Sequence, residues 1–243
     1  MSVPRIHCDH KLGPGAQFTL DADAAQHVAK SLRLKAGDAI VVFDGRGGEY
    51  EATIQRIDRD RVDVKVGALT GDERESHLAI GLVQGLPEAD KMDWIIQKAT
   101  ELGAAWIQPV VCERSVVRLS GERAERREAH WRRVAIAAAE QCGRTRVPEV
   151  RPTLAFMSWI AAPTDVPRWL LSPDAPSISA HAPAPSPLEL VVGPEGGFAD
   201  RERSLALDRG CEAVSLGPRI LRTETAPIAA LSAIHALWGD FRP

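Results

Sequence analysis

Two short phrases near the C-terminus carry residue types that can build a small-molecule site. The first is Leu190-Val-Val-Gly-Pro-Glu-Gly-Gly-Phe198, and the second is Leu216-Gly-Pro-Arg-Ile-Leu-Arg-Thr-Glu-Thr-Ala226. Each begins at the end of an apolar run, passes through Gly and Pro, and leads into a helix-like stretch. Glycine lets a ligand approach the backbone because no Cβ intervenes, and proline stiffens the turn and removes an N–H that would need a partner. Two such loops in close succession predict one pocket with two walls. The spacing excludes the common nucleotide sites: Gly193-Pro-Glu-Gly-Gly197 is not G-x-G-x-x-G, and no Gly-Lys-Ser or Gly-Lys-Thr occurs. The loops therefore suit a ligand held by backbone groups and apolar walls rather than by its phosphates. Their polar members are Glu195, Arg219, Arg222 and Glu224. Carboxylates accept protons and guanidiniums bind anions, but Glu224 reads equally well as a first-turn helix carboxylate beside free amides. His235, mid-helix among apolar neighbours, reads as structural.

The elements that must hold these loops alternate. After a polar break over 71–76, a strand over 78–83 precedes a helix that Asp90 can cap, with Met92, Ile95, Ile96, Ala99 and Leu102 on one face and Gly103 as its stop. A strand over 106–111 follows, then a long helix over 122–142 with Trp131, Val134, Ala135 and Ala138 inward. A short helix over 154–160 and strands over 168–171 and 188–192 come next. Asp200 caps a helix that stops at Gly210, a last strand covers 213–216, and Thr223 or Thr225 caps a final helix. This alternation predicts an α/β domain with a parallel sheet covered on both faces. Residues 1–70 differ: strands over 39–43, 49–57 and 61–66 surround one helix, capped by Asp21 or Asp23 and ended before Gly37.

Composition bounds the function. The 243 residues, 44% hydrophobic and 26% charged, are those of a globular protein, and no apolar run approaches the roughly 18–20 residues of a membrane span. The N-terminal residues lack the apolar core of a secretory signal. Four cysteines, at 8, 112, 142 and 211, show no metal-ligand spacing and read as free thiols of a reducing cytoplasm. The net charge of −3 hides an asymmetry: residues 114–151 hold ten Arg against five Glu, which is +5, so the remainder carries −8. Such a local basic surface suffices for phosphate contact, and a solvated helix laced with Glu–Arg pairs is the other reading.

Further phrases accompany the two loops: Gln97-Lys-Ala-Thr-Glu-Leu-Gly103, Ala139-Glu-Gln-Cys-Gly-Arg144, and His27 to Leu34 followed by Gly37-Asp38 and Phe43-Asp44-Gly45. Together they closely resemble the RsmE family of ribosomal RNA methyltransferases, members of the SPOUT superfamily that place a methyl group on N3 of a uridine in small-subunit RNA with S-adenosylmethionine (AdoMet). The likeness spans nearly the whole chain and is weakest over 172–187. It implies a SPOUT-type parallel-sheet methyltransferase domain over 75–243, preceded by a PUA-like RNA-binding β-barrel over 1–70. A C-terminal trefoil knot, which topology rules disfavour, rests on the resemblance alone.

The resemblance also implies roles. Gly193, Pro194, Glu195, Gly196 and Gly197 would form one wall of the AdoMet site, and Leu216, Gly217, Ile220, Leu221 and Thr225 the other. From the residues alone, the glycines read as turns and Ile220 and Leu221 as core. Uridine N3 is a poor nucleophile until its proton leaves, so the site needs a proton acceptor, cations near the uracil oxygens, or both. Arg222 would stabilise that anion, Arg219 would hold a phosphate, and Glu224 or Glu195 would be the base. Arg5, His7, Arg33, Lys35 and Arg46 would contact RNA in the N-terminal domain, as would Arg126, Arg132 and Arg133 in the basic segment. The implied partners are small-subunit ribosomal RNA, or the assembled subunit, and a second copy of the chain. The apolar stretch 228–238 suits that dimer contact or burial in its own domain equally. No metal and no membrane are expected. The rival readings are a SPOUT enzyme acting on another base or on ribose, and a non-catalytic RNA-binding protein that keeps the fold.

Overall fold

The computed structural model describes residues 3–241 except 60, 72, 73, 89, 120 and 182. The chain forms two compact units, one of the residues up to Glu75 with Ala139–Val147, the other of Ser76–Ala138 with the residues from Pro148 onward.

The first unit contains β1 (Arg5–His7), β2 (Gln17–Thr19), α1 (Ala22–Gln26), β3 (Ala39–Phe43), β4 (Tyr50–Asp58) and β5 (Arg61–Leu69). They form one sheet in the order β1-β3-β4-β5-β2, antiparallel except for β1 beside β3. The period-2 pattern does what it predicts: Ala52 and Ile54 of β4 and Val62, Val64 and Val66 of β5 are buried with Ile6, Ile40 and Val42. Asp21 is the cap of α1, its carboxylate accepting from the Ala24 amide at 2.9 Å, and Asp23 lies in the first turn. The helix then widens into a π-helical turn, His27–Ser31, which the sequence pattern did not signal. Strands β1 and β2 were also not anticipated, because three residues are too few for an alternation to show.

Two polar positions change meaning in this unit. Within the break at 71–76, Asp72 and Glu73 lie outside the described residues, but Glu75 is tightly held. Its carboxylate accepts from Arg144 Nε and Nη2 at 2.9 and 2.7 Å and from the amides of Thr145 and Arg146 at 2.9 and 2.8 Å. Arg5, expected to meet RNA, is spent internally. It pairs with Glu49 at 2.6 Å, donates to the carbonyls of Ala139, Glu140 and Arg144, and lies over the Phe43 ring. All five N–H donors are used, which leaves none for a phosphate. Arg5→Met is expected to cost about 3–5 kcal/mol of stability by stranding the buried Glu49 charge. An unchanged urea midpoint would contradict this.

The second unit contains β6 (Ile80–Gly85), α2 (Lys91–Glu101), β7 (Trp106–Val111), α3 (Gly121–Cys142, whose last turn counts with the first unit), β8 (Glu149–Val150), β9 (Leu154–Ala155) and α4 (Phe156–Ala161). It continues with β10 (Arg168–Leu171), β11 (Leu188–Val192), α5 (Asp200–Asp208), β12 (Glu212–Val214) and α6 (Thr225–Trp238). The sheet runs β12-β10-β11-β6-β7-β8, with β9 also on β7, and every pairing is parallel. Strands β6 and β11 are buried at every residue, as expected where both faces are covered. Gly103 stops α2 with φ of +80°, a left-handed conformation that glycine adopts without strain.

The helix starts differ from the pattern. Asp90 occupies the cap position of α2 without a capping bond, its carboxylate lying 3.8 Å from Arg127. Ala199, not Asp200, holds the cap position of α5, and the Glu202 carboxylate takes the amides of Ala199 and Glu113 at 2.9 and 2.8 Å. Neither Thr223 nor Thr225 caps α6, where Glu224 stands at the cap position. The last strand is Glu212–Val214 rather than 213–216.

Candidate functional site

In the second unit, the loops after β11 and β12 leave the carboxyl edge of the parallel sheet, the edge where open α/β sheets bind ligands. They enclose a cavity of about 530 Å³. Gly193, Pro194, Glu195 and Gly197 line it from the first loop, and Leu216, Gly217, Arg219, Ile220, Leu221, Arg222 and Glu224 from the second. Ile220 is 86% exposed and so is not a core residue. Gly196 and Thr225 are not in the lining. Gly196 turns toward Arg114: a Cβ there would lie 3.0 Å from Arg114 Cβ, and its carbonyl accepts from Arg114 Nη1 at 3.1 Å. Thr225 is the exposed first residue of α6.

A third wall comes from residues 170–174, at the end of β10 and beyond. Ser172 is held there by its amide on the Val214 carbonyl at 2.9 Å and by Arg203 on its hydroxyl at 3.1 Å. Nothing in the Pro-, Ala- and Ser-rich segment signals this wall; it forms because β10 lies between β11 and β12.

The two loops are joined at Thr223. Its buried hydroxyl donates to the Gly193 carbonyl at 2.6 Å and accepts from Gln84 Nε2 at 3.0 Å. Gly85 supplies clearance beneath the first loop, since a Cβ there would lie 2.6 Å from both Cδ and N of Pro194.

The charged groups of the cavity are unequal. Arg219 and Arg222 are exposed and carry no ion pair among the described residues. Lys91, the first residue of α2, enters the lining with Nζ 2.7 Å from Glu195 Oε1 and 3.9 Å from Glu224 Oε2. Burial pushes the Glu195 carboxyl up, but hydrogen bonds from Lys91, its own amide and the Glu88 amide outweigh it and hold it below the usual range. The bond to Glu195 raises the Lys91 ammonium against partial desolvation. Glu224 Oε2 is shielded from water and accepts no hydrogen bond. Its carboxylate stands at the cap position of α6 without a capping hydrogen bond to that helix, although a negative charge there is still favoured by the helix dipole. Lys91 was invisible to the loop motifs because it lies more than a hundred residues before them.

The remaining candidates scatter. His235 is fully buried. Arg33, Lys35 and Arg46 are exposed in the first unit, Arg46 paired with Asp9 at 3.3 Å. His7 is half-buried, edge-on to Phe43, with its amide on the Glu140 carboxylate. Arg126, Arg132 and Arg133 are exposed on α3. Burial raises the thiols of Cys8 to about 12 and Cys211 to about 11, which denies them a nucleophilic thiolate. Among the described residues, no group of three or more His, Cys, Asp or Glu could hold a metal ion, and no helix is long and apolar enough to cross a membrane.

Residues 20–67 match the RNA methyltransferase PUA domain, and residues 74–235 match the RNA methyltransferase domain. A PUA-like sheet followed by a parallel-sheet methyltransferase domain is thus the class that the fold and cavity define. The ribosomal RNA small subunit methyltransferase E of Bacillus subtilis is 35% identical over 227 residues, 89% of each chain. That of Synechocystis is 34% identical over 91% of this chain and 74% of its own. Among solved structures, the Neisseria gonorrhoeae enzyme of the same name, bound to S-adenosylmethionine, is 35% identical with a TM-score of 0.92 over 99% of this chain and 100% of its own. A Legionella pneumophila methyltransferase with its bound cofactor SAM is 34% identical, with a TM-score of 0.95 over the same shares. The chain belongs to the ribosomal RNA small subunit methyltransferase E family.

Proposed function

We propose that this protein methylates N3 of a uridine in small-subunit ribosomal RNA, with AdoMet as methyl donor. The observation that carries the reading is one cavity that combines apolar walls, guanidiniums without an ion pair and a shielded carboxylate oxygen without a hydrogen-bond donor, among the described residues. Its volume of about 530 Å³ suits a nucleoside-sized cofactor. Val192, Leu170, Leu216 and Leu221 offer apolar contact for an adenine, and the loop backbones offer hydrogen bonds. The one lysine in the lining is paired with Glu195, so its charge is offset where a sulfonium must sit. AdoMet supplies the methyl group.

The chain supplies the rest. Glu224 accepts the N3 proton, Arg222 stabilises the uracil anion that this leaves, and Arg219 binds a substrate phosphate. Glu195 is the weaker candidate for the base, since its carboxylate is already hydrogen-bonded to a cation. The same reading assigns residues 1–70 to RNA docking as a PUA-like domain and 75–243 to methyl transfer, with the C-terminal segment knotted. It has the protein act in the cytoplasm as a homodimer on ribosomal RNA or the assembled small subunit. Nucleosides from ribosomal RNA, compared by mass spectrometry with and without the protein, test the function. 3-Methyluridine is expected only with it. A different methylated base or ribose would select another specificity, and no methyl transfer from labelled AdoMet would leave an RNA-binding protein.

The exposed face of α3 should bind RNA. Changing Arg126, Arg132 and Arg133 to Glu is expected to weaken RNA binding and flatten its salt dependence, by about 0.7–0.9 in log–log slope per lost phosphate contact. AdoMet affinity should not change. Unaltered RNA affinity at low salt would make this face a solvated helix surface only.

A further inference from the structure

Lys91 is a cation of the cavity that neither glycine loop supplies. It meets both carboxylates but treats them differently. Glu195 Oε1 accepts from Lys91 Nζ at 2.7 Å and from the Glu88 amide at 3.1 Å, so that oxygen is saturated. Glu224 Oε2 stands 3.9 Å from the same ammonium, an ion pair too long for a hydrogen bond, and is shielded from water with no hydrogen-bond donor among the described residues. A buried carboxylate oxygen without a hydrogen bond is costly unless a donor arrives during function.

We propose that Lys91 is the positioning residue that decides which carboxylate receives the substrate proton: it engages Oε1 of Glu195 and faces Glu224 at longer range, so that the shielded Oε2 of Glu224 is left to accept. This rests on the methyltransferase reading above. The step is a proton transfer. The N–H bond of the substrate breaks, its electron pair stays on nitrogen, and the proton forms an O–H bond on Glu224. One negative charge thereby moves from carboxylate to base while the charge around Lys91 keeps its total, so the ammonium attracts the system before and after the transfer. The raised ammonium of Lys91 supports a cation that persists across this exchange. The other charged groups facing this set are Glu88 before α2, Arg219 and Arg222 of the second loop, and Asp174 and Arg203 elsewhere in the lining.

Two variants of the full-length protein test the role. Lys91→Met leaves two carboxylates without their shared cation, and like charges in proximity hold a proton more tightly. The rising limb of its single-turnover pH–rate profile should move up by about one pH unit, which is about tenfold in rate on the acid side. A second readout needs no turnover. The more negative cavity should favour the sulfonium of AdoMet over the neutral thioether of S-adenosylhomocysteine, so the ratio of their dissociation constants, measured by calorimetry, should shift several-fold toward AdoMet. Lys91→Arg keeps the charge and should restore both. An unmoved limb and an unshifted ratio in Lys91→Met would overturn the role of Lys91. A wild-type protein that binds AdoMet but forms no 3-methyluridine would instead overturn the functional reading, with the binding ratio still reporting on Lys91.

Discussion

Replacing Glu224 with Gln is expected to lower single-turnover methyl transfer on the order of 100-fold or more, the usual contribution of a positioned base. Shape and hydrogen-bonding reach are kept while basicity is lost, so AdoMet and RNA affinities should change little. Because the Glu224 carboxylate makes no capping bond to α6, the urea midpoint should also hold. Arg222→Ala is the companion. Its guanidinium is exposed in the cavity lining and forms no ion pair among the described residues, so it is available to the negative charge that develops on the uracil. Its loss should slow transfer by roughly 100–1,000-fold, as for one oxyanion donor, with ground-state binding nearly intact. Normal turnover in both variants would reduce the second loop to a wall and move the proton acceptor to Glu195 or to the RNA.

The second large effect should come from Gly85→Ala. The added Cβ would sit 2.6 Å from the Pro194 ring carbon and nitrogen, and a proline ring fixed in a turn cannot swing aside. Overpacking of this kind costs about 1–3 kcal/mol, and the first loop would yield before the centre of the sheet. AdoMet affinity should therefore fall roughly 5–150-fold, the equivalent of that energy. Gly196→Val is the substitution the glycine motif itself suggests, yet its side chain would meet Arg114 rather than the cavity. It should weaken binding less than Gly85→Ala in the same calorimetric titration. The reverse order would show that the first loop rearranges before it binds.

These expectations show where local pattern ends. The parallel sheet was legible because most of its longer strands are separated by helices, and β6 and β11 carry continuous apolar runs. The two loops were legible because Gly and Pro mark chain reversals whatever surrounds them. The cap of α5 was misjudged by one residue, Ala199 standing where Asp200 was expected, and those of α2 and α6 because an Asp or Thr near a helix start has other partners in the folded chain. Asp90 faces Arg127, and Thr223 clasps Gly193. Arg5 looked like an RNA contact because its carbonyl and carboxylate partners lie 44 to 139 residues away.

The sequence by itself determined the succession of the longer strands and helices, the two glycine loops and a resemblance strong enough to imply the family. Each of these is written in neighbouring residues, through propensity, periodicity or a contiguous phrase. Only the tertiary structure decided that residues 170–174 form a third wall, that Lys91 stands between the two loop carboxylates, and that Gly85 rather than Gly196 gives the first loop its clearance. Those facts depend on strand order and on side-chain direction across distant elements. Charge pairing and steric clearance act through space, and a linear pattern holds no record of which distant groups the fold brings within a few ångströms.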